Sequence, residues 1–368
     1  MTTSKVRHET GVQWTHVPGY IGATWNPTTG CSRLHDKRYL ANRSSARAAG
    51  FTGPGIAREM GVKLPCPAQY DLPFARVQLL GERHLTEPLR AKKPRAYFVD
   101  SMADLFHEDV PDEFIDRVFA VMALSPRHIF MILTKRPGRM RKYVSDPATA
   151  RRVEALAEVI RAGRNIGRGA QWQAQEQLQW PLRSVWLGVS VEDQERANER
   201  VPLLLNTPAA VRFLSCEPLL GPVDVARYLP ICVAADGVID GTVREQVDWV
   251  IVGGESGAHS RPMDLDWARS LRDQCAAAGV PFFMKQTGRW IAAGGPNEHR
   301  QHRLRSWLLA DGRVFIPPVI GPHAHERPAA AVAWSNDPHG GRPELWPEDL
   351  RVREWPRIHI MVIKGGRG

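Results

Sequence analysis

One pattern recurs six times along the chain and limits what it can fold into. A short, continuous apolar run ends in polar residues, and a helix-patterned segment often follows. The runs are "RAYFVDSMADLFH" (95–107), "HIFMILTKRPGRM" (128–140), "SVWLGVSVED" (184–193), "AVRFLSCEPLLGP" (210–222), "VDWVIVGGESG" (247–257) and "VPFFMKQTG" (280–288). Runs of this length without polar alternation suit strands buried on both faces, as in a parallel sheet. "GATWNPTTG", from Gly22, supplies a seventh candidate. Strands alternating with helices imply βα units joined by right-handed crossovers.

The connectors carry helical spacing. "PDEFIDRVFAVMA" places Phe114, Val118 and Met122 on one stripe, with Pro111 and Asp112 at its start. "MDLDWARSLRDQCAAAG" puts Trp267, Leu271 and Cys275 four residues apart, with Asp264 as N-cap and Gly279 closing the C-terminus. Segment 151–162 is helical as well. Three stretches stand outside the repeat. Residues 41–93 cover one end of the barrel, 163–182 form an insertion, and 289–368 make a basic C-terminal extension to a barrel domain of 1–288.

The same strand end is polar each time. Asp100 and Asp104 follow the first run, Lys135 and Arg136 the second, Glu192 and Asp193 the third. Glu217, Glu255, and the pair Lys285 and Gln286 end the last three. In a parallel barrel these ends converge on one face, where active sites form. Asp104, Lys135, Glu217, Glu255 and Lys285 are therefore expected around a common pocket, with Asp104, Lys135, Glu217 and Lys285 as candidate catalytic residues. Gly253, Gly254, Glu255 and Ser256 are candidate cofactor-binding residues, because glycines after a buried strand allow close backbone approach and a carboxylate there holds an ammonium or ribose hydroxyl. His107, Glu108 and Asp109 precede a helix and serve as an acidic N-terminus rather than as metal ligands. "HAHER" and "RIHIMV" lack the further ligands of a zinc site. Walker, GxSxG and HExxH motifs are absent.

The 368 residues are 43% hydrophobic, enough for a sizeable core and too many for a disordered chain. A formal net charge of +10 points to an acidic or polyanionic partner, a nucleic acid or a nucleotide. Five cysteines do not form a disulfide framework, which favours a reducing, cytoplasmic setting. The start, "MTTSKVRHETGVQWTH", lacks the apolar core expected of a signal peptide, and no apolar run approaches the roughly 18 residues of a membrane span.

Taken together, "TWNPTTGCS", "FVDSMADLFHEDVPDEFIDRVFAVM", "ILTKRP", "GVSVED", "FLSCEPLLGP", "VIVGGESG", "RPMDLDWARSLRDQC" and "VPFFMKQTG" resemble a phage-associated three-Cys-motif family of unknown function, of the gp thirty-seven / gp sixty-eight type. The resemblance covers about residues 12 to 288. That family looks like radical S-adenosylmethionine enzymes, so the resemblance implies an α/β fold with an incomplete parallel βα barrel. It also implies a [4Fe–4S] cluster held by three cysteines, with S-adenosylmethionine on the open iron. Cys31 matches the first of those cysteines. The other two, spaced CxxC in the family, are missing: after Arg33 the chain runs straight into "LHDKRYLANR". Cys31 is thus the one candidate metal ligand of the loop, and a rebuilt site from Cys31, Cys66 and Cys216 is the competing possibility. Two functions stay open. One is a cluster-deficient protein of radical-SAM type. The other is a non-catalytic barrel that binds nucleic acid or a partner protein.

Overall fold

The computed structural model describes residues 10–29, 77–101, 103–164, 178–230, 246–256, 261, 263–288, 341–343 and 346–356, with the short strands Trp290–Ala292, Trp307–Leu308, Val314–Phe315 and Ala331–Ala333. The expected covering segment 41–93, the centre of the 163–182 insertion, "HAHER" and "RIHIMV" fall largely or wholly outside these residues.

All seven expected strands form. They are β1 (Ile21–Trp25), β2 (Arg95–Val99), β3 (Ile129–Thr134), β4 (Val185–Ser190), β5 (Val211–Cys216), β6 (Trp249–Gly253) and β7 (Phe282–Gln286). They pair in chain order, and every pairing is parallel. A doubly wound sheet would reverse direction at a switch point. This sheet does not reverse. It curls into a half-barrel, as expected for an incomplete parallel βα barrel.

Among the described residues, five helices longer than two turns lie between the strands: α1 (Asp112–Ala123), α2 (Pro137–Ser145), α3 (Pro147–Arg164), α4 (Gln194–Leu205) and α5 (Leu265–Ala278). The predicted stripe on α1 is buried at Phe114, Val118 and Met122. On α5 the Asp264 side chain accepts from the Asp266 N–H, and Gly279 ends the helix in the left-handed conformation at φ 65°. Only glycine takes that conformation without steric cost.

The pleat divides the strands' side chains between two cores. Tyr97, Phe130, Leu187, Leu214, Val250 and Phe282 point outward and pack with helix residues such as Val118, Val201 and Leu271. Alternate residues Ala96, Met131, Trp186, Phe213, Trp249 and Phe283 point inward, where no helix residue joins them. Their partner is Trp14, from the 3-10 turn Gln13–Thr15. The Trp14 ring centroid lies 4.7 Å from Phe98, 6.0 Å from Phe213 and 6.1 Å from Trp249, in tilted or edge-on arrangements that suit the ring quadrupoles.

The C-terminal segment protects the edge strand β7. The Met284 N–H donates to Val352 O and the Glu354 N–H to Phe282 O, both at 2.9 Å. Trp355 Nε1 donates to Trp14 O at 3.0 Å, and Arg353 donates to the Gln13 side chain. Residues 351–355 thereby link the last strand to the N-terminal plug and cover backbone groups that an open edge would present. Trp346 and Leu350 also sit in the outer core, so part of the expected extension packs directly on the barrel.

The inner core leaves no room beside Gly188. A Cβ there would lie 2.5 Å from the Phe213 ring. Gly188→Ala is expected to cost about 1–3 kcal/mol by overpacking. At Gly138, on α2, an added Cβ meets nothing within 4 Å, so Gly138→Ala should be neutral or stabilise by about 0.5–1 kcal/mol. Denaturant unfolding of the two variants should move in these opposite directions.

Candidate functional site

The inward row that is aromatic along the strands becomes polar at their C-terminal ends. Beyond the last apolar residues it continues as Ser190 and Glu192, Ser215 and Glu217, Lys285, and Lys135. These side chains are partly or mostly buried. The structure brings four of them together in two pairs.

Lys285 Nζ sits 2.5 Å from Glu217 Oε1 and 2.7 Å from Oε2, and Gln286 Nε2 donates to Oε1 at 3.2 Å. Lys135 pairs with Glu192, whose other oxygen accepts from Arg200 Nη1 at 3.0 Å. Arg200 is buried and also donates to Ser190 O at 2.8 Å. Burial works to raise the Glu192 pKa, but the Lys135 and Arg200 charges outweigh it and hold the carboxyl below its ordinary value. Glu192, read from sequence as a polar strand end though not as a catalytic candidate, is two residues past Ser190 on the inward row; Arg200, on α4, was not singled out.

Asp104 is placed differently. It is buried and accepts from Thr134 Oγ1 (2.7 Å), the Lys135 N–H (3.1 Å), Arg136 Nη1 (3.0 Å) and the Phe106 N–H (3.0 Å). Every lone pair faces a donor from its own chain, so Asp104 fastens the loop after β2 to the end of β3. Arg136 extends this network to Glu108 at 2.8 Å, and His107 Nδ1 accepts from the Asp109 N–H at 3.0 Å. The 107–109 triplet is thus spent on loop structure. Among the described residues no group of His, Cys, Asp and Glu is arranged to hold a metal.

Glu255 follows β6 and is held by Arg261, with Nε and the N–H each 2.8 Å from Oε2 and Nη2 3.2 Å from Oε1. Ser256 is exposed. The two glycines before them make room for the chain itself. A Cβ on Gly254 would lie 2.2 Å from Thr287 O, and one on Gly253 would meet the Gln286 and Glu217 side chains at 3.3–3.4 Å. Gly254 lets β6 and β7 close at their tips, where the Gly254 N–H donates to Gln286 O and Gln286 Nε2 donates to Gly254 O.

Asp100, named from sequence as a polar strand end but not as a candidate site residue, is the least ordinary residue of this face. Asp100 ends β2 with φ 53°, a left-handed conformation that costs free energy for any residue with a Cβ. It is 3% exposed. Oδ1 accepts from the Thr28 N–H at 2.9 Å, whereas Oδ2 has no partner. The Thr28 and Thr29 hydroxyls are also buried without hydrogen bonds. Burial raises the Asp100 pKa to about 8, against the pull of the Thr28 N–H and with a further push from Asp104. The run "FVDS" shows a carboxylate after a strand, but its backbone conformation and its orphaned oxygen arise only from tertiary packing.

The described thiols face away from this site. Cys216 ends β5 but points outward into the helix-side core, and Cys275 lies on the buried stripe of α5. Burial pushes the Cys216 thiol well above its ordinary pKa and the Cys275 thiol up to about 12, so neither is a ready thiolate. A rebuilt site from Cys31, Cys66 and Cys216 therefore fails at Cys216. Cys31, the candidate metal ligand, lies outside the described residues, as do Cys66 and Cys232.

A family model matches residues 9–329, and its description reads "Protein of unknown function (DUF5131)". The chain belongs to this family. No curated protein and no solved structure matches it. The matched span includes every strand of the half-barrel and every candidate residue, and it ends before the segment that covers β7. Among the described residues, no helix is long and apolar enough to cross a membrane.

Asp100 carries a pH signature. Between about 3.8 and about 8 the folded protein holds a proton that the unfolded chain releases. Stability from this group is therefore lost as pH rises through that window. Asp100→Asn keeps the bond from Thr28 and cannot ionise. The melting temperature of the variant relative to wild type should be more favourable at pH 8 than at pH 5. An equal difference at both pH values would remove the assignment.

Proposed function

We propose that this chain is a radical-SAM-like barrel, related to phage-associated proteins, whose mouth binds a zwitterionic ligand of S-adenosylmethionine type without a resident [4Fe–4S] cluster. The observation that carries the reading is the Lys285–Glu217 pair. It stands on the inward row at the strand ends, with side chains 23% and 18% exposed. A cation and a carboxylate this close match the head of an amino acid in both sign and spacing. The Lys285 ammonium would take the ligand carboxylate, and Glu217 would take the ligand ammonium. The exchange replaces one internal ion pair with two and leaves no charge unpartnered, which limits the desolvation cost of entry. Glu255, the remaining carboxylate, would first have to leave Arg261.

A cluster does not fit the described mouth. Site-differentiated [4Fe–4S] binding needs three converging thiolates. Cys216 and Cys275 are turned into the outer core, and the CxxC of the family loop is missing after Arg33. The roles left to this chain's own residues are binding and orientation: Lys285 and Glu217 fix the ligand head, while Gln286 fixes Glu217. Lys135, pinned by Glu192, presents a second cation at 41% exposure for a carboxylate or phosphate.

Calorimetric titration with S-adenosylmethionine tests the reading. Lys285→Met and Glu217→Gln are each expected to weaken binding about tenfold or more, the scale of losing one charge-assisted contact. Glu255→Gln should have a smaller effect. Equal affinities in wild type and Lys285→Met would refute the site.

Anaerobic reconstitution with iron and sulfide checks the second half of the proposal. The protein should stay colourless in the visible range. Stoichiometric iron and sulfide, lost on Cys31→Ala, would overturn it.

A further inference from the structure

The last strand is irregular at Lys285. The Val250 N–H donates to Pro281 O, and the Gly254 N–H donates to Gln286 O. Between these two rungs β6 advances four residues (250 to 254) and β7 advances five (281 to 286). The register shifts between Met284, opposite Val252, and Gln286, opposite Gly253. Lys285 is therefore the extra residue of a β-bulge.

A bulge re-aims side chains. In an even pleat Phe283 and Lys285 would face inward, and Met284 and Gln286 outward. Phe283 does lie in the inner core and Met284 in the outer one. Past the bulge the alternation fails. Lys285 Nζ and Gln286 Nε2 both reach Glu217 Oε1, at 2.5 Å and 3.2 Å. Two consecutive residues address one carboxylate because the strand gains a residue there.

The bulge also displaces a carbonyl from the ladder. An even ladder would direct the Gly254 N–H to Lys285 O, but that bond goes to Gln286 O instead. Arg353 takes the displaced acceptor. Its Nη2 donates to Lys285 O at 3.3 Å, and its Nε donates to Met284 O at 3.2 Å. Other contacts fix the guanidinium. It donates to Gln13 Oε1, and it lies 4.9 Å from the Trp346 ring centroid and 5.4 Å from that of Phe283.

We infer that Arg353 is a positioning residue for the Lys285–Glu217 pair: by gripping both carbonyls of the bulge, it sets the direction in which Lys285 leaves the strand. A guanidinium suits this task because its donors diverge in a rigid plane and reach two acceptors at once, whereas an ammonium is a point charge on a flexible stem. Arg353 lies past residue 329, where the family match ends, so the mouth is organised by a segment outside the matched span. The pair's value to a ligand rests on the function proposed above, but its geometry does not.

The acetylation rate of Lys285 in the full chain, read by mass spectrometry against that of Lys135 in the same sample, reports how firmly the ammonium is held with no ligand present. Arg353→Met is expected to raise the ratio of the two rates about tenfold, the scale of losing a charge-assisted hydrogen bond. Arg353→Lys, which keeps the cation without the fork, should fall between this variant and wild type. Asp349→Ala controls for loosening of the whole C-terminal segment, because it removes the carboxylate held by Arg269 and Arg272 on α5. It should leave the ratio unchanged. An unchanged ratio in Arg353→Met, or an equal rise in Asp349→Ala, would overturn the inference. If Arg353→Met does not fold, Arg353→Lys decides, and a wild-type ratio there would overturn it. The two proposals separate cleanly. A raised ratio in a protein that does not bind S-adenosylmethionine refutes the ligand and keeps Arg353. Binding that Lys285→Met abolishes, with a wild-type ratio in Arg353→Met, does the reverse.

Discussion

The pleat of a parallel sheet sends alternate side chains to opposite faces, and here it is followed by a row of large aromatic residues on the inner one. Trp186, Phe213, Trp249 and Phe283 would leave a curled sheet with an exposed apolar trough. Trp14 fills that trough from the N-terminal side. Gly188 is the counterpart of this crowding, since the Phe213 ring occupies the place of its side chain. The packed interior forms a floor. Above it stand the next inward positions of the strands, among them Lys135, Glu192, Glu217, Glu255 and Lys285. The site thus inherits its membership from the same period of two that builds the core.

Above the floor, charge is handled by pairing. Lys285 faces Glu217, Lys135 faces Glu192, and Arg261 grips Glu255. Half-buried pairs of this kind add little net stability, because desolvation offsets most of the Coulomb gain. In the reading proposed above, they keep charges solvated inside the protein until a ligand of matching polarity replaces one partner. Asp100 is handled in the opposite way. It is buried without an ion-pair partner and burial raises its pKa, in a backbone conformation that costs free energy. A neutral carboxyl can donate a hydrogen bond as well as accept one.

How far the sequence could be read depended on the range of the interactions involved. The strands were legible because burial on both faces writes itself as an uninterrupted apolar run. The helices were legible because Asp264 and Gly279 punctuate α5, and because Phe114, Val118 and Met122 repeat at the right interval on α1. Lys135, Glu217 and Lys285 were found because strand ends are local. Asp104 was grouped with them for the same reason, yet contacts from Thr134 and Arg136, about thirty positions away, commit it to holding a loop. The glycines after β6 correctly signalled a close approach, but not that Thr287 would be what approaches. Cys216 sits at a strand end as expected, and one step of the pleat sends it to the outer core. In each case the residue's position was readable, and the partner, set by tertiary packing, was not.

The net charge of +10 belongs to the whole chain, and the pairings among the described residues show which cations are compensated close by. At the mouth the cations are matched: Lys285 by Glu217, Arg261 by Glu255, Arg136 by Asp104 and Glu108, and Lys135 with Arg200 share Glu192. Charges neutralised within a few ångströms project little field beyond a Debye length of about 8 Å. The matched cations of the mouth therefore act at contact range, where the strand position of each pair decides what it can meet.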